Sequence, residues 1–150
     1  MPDLDRLPTL PPDDIDGFES VAMAQVQHSL DAGDTAAAEG FVVALLKRLD
    51  SRETSGRDPL SRACVDCMLT LAEQKLSGAW ADRVFRVHAE RRWTMAPEIV
   101  ERVERIVGML GGMPRDGLRV YQRVLSAMAR GGSEIPQTLT ASVERWLSSV

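Results

Sequence analysis

The chain has 150 residues, of which 44% are hydrophobic and 27% charged, with a formal net charge of −4. That length supports one domain with its own core, and that composition excludes intrinsic disorder. An acidic chain is also a poor general nucleic-acid binder.

Residues 1–13 read as an extended arm, because Pro2, Pro8, Pro11 and Pro12 oppose helix and favour polyproline II. Arg6-Leu7-Pro8-Thr9-Leu10-Pro11 holds a P-x-x-P, with its basic residue one position too close for the usual groove ligand. The arm has no apolar stretch and is not a secretory signal. Asp13 and Asp14 then place negative charge where a helix begins. Residues 14–150 form a single α-helical domain, with a sub-boundary expected at 50–58.

The first helix carries Ile15, Phe18, Ala22, Val26 and Leu30 on one face and stops at Gly33. Asp34 or Thr35 caps a second, striped by Phe41, Val42, Leu45, Leu46 and Leu49. Asp50 to Arg57 is a polar loop, and Asp58-Pro59 opens a third helix. That helix is apolar on two faces, Leu60, Cys64, Cys67 and Leu71 on one, and Val65, Leu69, Ala72 and Leu76 on the other. Such a helix belongs between neighbours.

Ser77-Gly78 turns the chain into a fourth helix with Ala81, Val84, Phe85 and His88 inward and Asp82, Arg83, Arg86 and Glu90 outward. Pro97 opens a fifth, on which Ile99, Val103, Ile106 and Leu110 align, and Glu98–Arg102 and Glu101–Arg105 form four-residue ion pairs. Gly111-Gly112 and Pro114 precede a sixth, with Leu118, Tyr121, Val124, Leu125 and Met128. Gly131-Gly132 ends it, and after Pro136 a seventh presents Leu139, Val143, Trp146 and Val150. No segment alternates with period two. The expected fold is all-α, about seven helices in antiparallel helical-hairpin stacking or a closed helical bundle.

Self-similarity supports stacking. Asp82-Arg83-Val84-Phe85 resembles Leu118-Arg119-Val120-Tyr121 at an offset of 36, and Val103-Glu104-Arg105-Ile106 resembles Val143-Glu144-Arg145-Trp146 at 40. Pro59, Pro97 and Pro136 open helices 38 and 39 residues apart. With Ala81 to Val87, Gly117 to Ala127 and Leu30-Asp31-Ala32-Gly33-Asp34, this resembles the pentatricopeptide and tetratricopeptide helical-hairpin repeats over residues 59–150. The spacing exceeds theirs, and the Trp-Leu-Gly-Tyr pattern and base-reading positions are missing. The resemblance implies stacked pairs with a concave partner-binding face.

The charge is uneven. Residues 1–60 hold 12 acids and 5 bases, residues 61–150 hold 10 and 13, and every base except Lys47 and Lys75 is arginine. Arginine suits interfaces, though a coding bias toward it accounts for the count equally well. Arg83, Arg86, Arg115, Arg119 and Arg123 fall on the outward faces of the fourth and sixth helices. They would form one basic band if those helices are equivalent members of successive pairs. The band would suit an acidic protein segment, a phosphate backbone or the acidic front half of the chain, against the plainer reading of a solvated face. Leu139, Val143 and Trp146 on the last helix, which lacks a following partner, offer an apolar counterpart or else cap the core.

Cys64 and Cys67 form a C-x-x-C and, with His28 and His88, could supply four zinc ligands. The cysteines nonetheless share a helix face with Leu60 and Leu71, as small core residues do, and no second closely spaced ligand pair accompanies them. His28 suits a helix C-terminus, and His88 reads as a core histidine. Two cysteines make no disulfide framework, which points to a reducing compartment, either the cytoplasm or an organelle reached by a removed transit peptide. The longest apolar run, Gly40 to Leu46, is too short to span a membrane.

No phosphate loop, G-x-S-x-G or H-E-x-x-H occurs. The expected function is a soluble, non-enzymatic protein-interaction adaptor or structural subunit without cofactors, its partner another protein or a second copy. An RNA-associated pentatricopeptide-like module is the alternative, and a metal-binding or redox protein using Cys64 and Cys67 trails both.

Overall fold

The computed structural model describes residues 17–51, 58–110 and 115–148. Within them the chain forms seven helices and no strand: α1 (Phe18–Asp31), α2 (Thr35–Asp50), α3 (Pro59–Lys75), α4 (Gly78–Arg91), α5 (Pro97–Met109), α6 (Arg115–Arg130) and α7 (Gln137–Ser148). The expected arm at 1–13 with its P-x-x-P, the start at Asp14 and Ile15, most of the 50–58 loop, Gly111-Gly112, Pro114 and Val150 lie outside the described residues. No helix among the described residues is long and apolar enough to cross a membrane.

Helix starts follow the capping residues. The Asp34 carboxylate accepts the Ala37 N–H at 3.0 Å. Asp58 accepts the Ser61 hydroxyl at 2.7 Å and its N–H at 3.3 Å, and the Ser77 hydroxyl accepts the Trp80 N–H at 3.3 Å. Each contact satisfies a donor that the first turn leaves open. Pro97 opens α5, where a missing N–H costs nothing.

Four helices end alike, the N–H of the residue after a left-handed one reaching back to a carbonyl five positions earlier. The bonds are Asp34 to Ser29, Ser77 to Ala72, Trp93 to His88 and Ser133 to Met128, all 2.9–3.1 Å. This ending needs a left-handed residue, normally glycine. Gly33 and Gly132 supply it at α1 and α6, but Leu76 (φ 48°) and Arg92 (φ 57°) supply it at α3 and α4. Leu76 therefore leaves the helix and stands 56% exposed, instead of extending the second apolar face of α3.

The chain divides into two compact units, Met1–Met68 and Leu69–Val150. The division falls inside α3 and not at the 50–58 sequence break. The split runs across the helix length, so that buried Leu60, Cys64, Val65 and Cys67 belong to the first unit and buried Leu69, Leu71 and Ala72 to the second. In the first unit α1 and α2 form a hairpin over Phe18, Ala22, Val26, Phe41, Leu45 and Leu49, all buried. Residues 59–68 of α3 lie along α1, where Arg62 pairs with Glu19 at 3.4 Å and the Cys67 thiol sits 3.7 Å from the Met23 sulfur. Contacts run in the same order on both helices, so α1 and α3 are parallel neighbours.

In the second unit α4 packs on α6, while α7 adjoins both α5 and α6. Asp82 meets Gly117 and, one to two turns on, His88 meets Tyr121, so α4 and α6 are also parallel. Arg145 of α7 pairs with Glu104 of α5. Arg102 reaches Glu73 and Thr70 at the end of α3, both at 3.4 Å, in place of the expected Glu98, and the expected Glu101–Arg105 pair is not formed among the described residues. Helices of like direction thus neighbour one another across the hairpins. The similar stretches agree only in part. Phe85 and Tyr121 are both buried, as are Val103 and Val143, and Ile106 and Trp146, but Val84 is buried where Val120 is exposed.

Candidate functional site

The interior of the second unit is built around His88. Its Nδ1–H donates to the Val84 carbonyl at 2.8 Å, and its ring meets Trp93 and Tyr121 edge-on, each 5.8 Å away between centroids. Burial pushes its pKa down to about 4, because a charged imidazole would lose its water with no carboxylate to replace it. The Tyr121 hydroxyl donates to the Trp93 carbonyl at 2.7 Å and accepts the Met95 N–H at 3.0 Å. Burial holds that phenol well above its ordinary range. These are ties between α6 and the segment after α4. At 2% exposure, His88 is placed as a core histidine rather than as a group that meets a ligand.

Cys64 and Cys67 are fully buried in the first unit, whereas His88 belongs to the second, and His28 is exposed at the end of α1. Among the described residues no group of three or more His, Cys, Asp or Glu is arranged to hold a metal ion. An interior void bordered by Leu69, Phe85, Ile106 and Leu110 measures about 10 Å³, too small for any ligand beyond a single water.

The expected apolar surface on α7 is corrected by burial. Leu139, Val143 and Trp146 are 1–2% exposed, with Trp146 against Phe85 at 5.9 Å. They close the core because α7 lies back on α5 and α6, so a following helix is not needed to cover them. The Trp146 indole N–H is buried there without an acceptor among the described residues.

The arginines separate into two kinds. The Arg83 guanidinium lies 4.9 Å over the Trp80 ring, and Arg86 bonds Asp82 at 2.6 Å, which raises its pKa. Asp82 is not simply outward, since its other oxygen accepts the Gly117 N–H at 2.8 Å. It thereby caps the first turn of α6 from α4, where the chain's own residue 114 is a proline with no side-chain acceptor. Arg115 is exposed and engaged elsewhere.

Arg119 and Arg123 are different. Both are exposed one turn apart on α6, with no hydrogen-bond or ion-pair partner among the described residues. With Gln122 they line an open trough of about 630 Å³, whose other wall is Glu144, Leu147 and Ser148 of α7. The sequence indicated the two arginines but not the α7 wall. Its only signal was that Glu144 and Ser148 fall on the polar side of a helix whose opposite side is Leu139, Val143 and Trp146.

No protein-family model, curated protein sequence or solved structure matches this chain. The reading of the trough therefore rests on its geometry.

Every aromatic residue of the chain, Phe18, Phe41, Trp80, Phe85, Trp93, Tyr121 and Trp146, is at most 7% exposed. Base stacking, which gives single-stranded nucleic-acid sites much of their affinity, has no exposed Phe, Tyr or Trp ring to use here.

Proposed function

We propose that this chain is a non-enzymatic interaction module that docks a protein partner in the α6–α7 trough, as an adaptor or a structural subunit. The observation that carries the reading is the pair Arg119 and Arg123, side by side at an open groove and without a partner among the described residues. Arg62, Arg86, Arg102 and Arg145 are satisfied within the fold, and the equally unpartnered Arg105 and Arg130 do not line the groove. The like-directed packing of α4 with α6 suits the resemblance to helical-hairpin repeats, whose exposed faces hold other polypeptides. Buried aromatics weigh against the RNA-associated alternative, and buried, ungrouped cysteines weigh against the metal or redox one.

The test is purification of the tagged chain from its source cells beside the double variant Arg119→Glu/Arg123→Glu. A stoichiometric polypeptide should accompany the first and be lost from the second, with helix content unchanged. An identical set of co-purifying proteins with both forms would overturn the proposal.

A further inference from the structure

The two trough arginines also define what the partner must carry. Resting on the docking reading above, we infer that the trough receives a polypeptide segment bearing two carboxylates about one helical turn apart. Arg119 and Arg123 are four residues apart on one helix, which separates their backbones by about 6 Å along the axis. Two cations at that spacing repel and weaken an isolated helix slightly. Where the chain satisfies Arg86 it does so from the same helix, with Asp82 at the corresponding four-residue distance. It does not do so for Arg119 or Arg123, whose own four-residue partners are Arg115, Arg123 and Ala127. Glu144 lines the same trough, yet neither arginine engages it.

Guanidinium groups present flat, forked donors that match a carboxylate with two parallel hydrogen bonds. Two such forks held by one rigid helix select two acids at matching separation, as on positions i and i+3 or i+4 of a partner helix. The opposite wall sets the rest of the fit. Leu147 gives an apolar contact between the polar ends, the Gln122 amide can donate to a backbone carbonyl, and the Ser148 hydroxyl, which gives its proton to the Glu144 carbonyl at 2.9 Å, can accept a backbone N–H. Glu144 disfavours a uniformly anionic strand, because a phosphate run laid along the trough would meet its carboxylate. Together with the lack of exposed aromatics, that favours a mixed-charge peptide over a nucleic acid.

The experiment uses phage-displayed random peptides panned on the full chain, with counter-selection on Arg119→Glu/Arg123→Glu. A control variant, Arg105→Glu/Arg130→Glu, reverses exposed arginines outside the trough. Peptides retained by the wild type and by the control, but weakened at least tenfold on the trough variant, should carry acid pairs three or four positions apart. Replacing either acid by its amide should weaken a chosen peptide at least tenfold in fluorescence anisotropy. Trough-dependent peptides without an acid pair would overturn the inference, as would polyuridylate displacing the peptide at equal charge concentration. If co-purification still depends on Arg119 and Arg123 while the acid rule fails, docking stands and only the partner chemistry falls.

Discussion

Replacing Gly117 by alanine should destabilise the second unit, although helix propensity alone predicts the reverse. In an unconstrained helix the change gains about 1 kcal/mol. A Cβ built on Gly117 would lie 2.3 Å from Asp82 Oδ1 and 2.9 Å from the Asp82 backbone oxygen. The carboxylate can swing away, but that breaks its bond to the Gly117 N–H and disturbs the Arg86 contact. A hydrogen bond to a charged acceptor contributes about 1.5–3 kcal/mol. The backbone oxygen cannot swing, so α4 and α6 must also part by several tenths of an ångström, at about 1–3 kcal/mol for an overpacked contact. Set against the propensity gain, the net loss is about 1.5–5 kcal/mol. Gly108 on α5 is the internal control, since nothing lies within 4 Å of its added Cβ, and Gly108→Ala should stabilise by about 0.5–1 kcal/mol. Urea unfolding followed by tryptophan fluorescence suits both variants, because Trp80, Trp93 and Trp146 all report the second unit. If both variants move the midpoint in the same direction, the close approach of α4 and α6 is not as described here.

Acid should weaken the same unit through His88. Its folded pKa of about 4 lies below the ordinary 6.5, so between these values the unfolded chain binds a proton that the folded chain refuses. Stability is complete above pH 6.5, falls as pH drops toward 4, and levels off below it. The loss from this group is about 3 kcal/mol, at 1.36 kcal/mol per pKa unit. Urea midpoints across that range should follow this curve, and a flat profile would refute it. Tyr121→Phe strips the Trp93 carbonyl and the Met95 N–H of their shared partner. The expected cost is about 2–4 kcal/mol by the same unfolding assay, with faster amide exchange at Met95. Trp146→Phe should cost under about 1 kcal/mol, because losing the unpaired indole N–H offsets the lost area, whereas Trp146→Ala should cost about 3–5 kcal/mol. Calorimetric melting of the two variants measures the difference.

What was legible in the sequence is what local chemistry decides. Apolar side chains at three- and four-residue steps gave all seven helices, and Asp34, Asp58-Pro59, Ser77 and Pro97 marked their starts within a residue or two. Gly33 marked an end correctly because a left-handed residue was needed there. Leu76 and Arg92 concealed the same ending, since neither residue type favours it and only the packing of the following helix enforces it. The Tyr121 hydroxyl was silent for a different reason. Its partners belong to the irregular segment around Trp93 and Met95, whose path no periodicity encodes. Asp82 read as solvent-facing because its acceptor role depends on a glycine 35 residues away.

The arginines show the same limit at the site. Their outward placement is a matter of helical phase and was readable, but occupancy is tertiary. Arg83 finds a tryptophan, Arg86 an aspartate and Arg102 a glutamate of another helix, and only the assembled unit reveals that Arg119 and Arg123 find no partner among the described residues.

The scaffold behind those two residues explains why they can act as a fixed pair. Leu118, Tyr121 and Leu125 interleave with Arg119 and Arg123 along α6 and are at most 3% exposed, so the buried face sets the phase of the exposed one. Gly117 fastens the first turn of α6 to Asp82, and Tyr121 fastens the next to the chain around Trp93. The opposite wall is held by the Arg145–Glu104 pair and by Trp146 against Phe85. A trough whose two walls are anchored in this way needs little rearrangement on binding, which lowers the ordering cost that an exposed arginine otherwise sets against its charge. It follows that weakening the anchor at Gly117 should loosen partner binding as well as the fold, while Gly108→Ala should leave binding untouched.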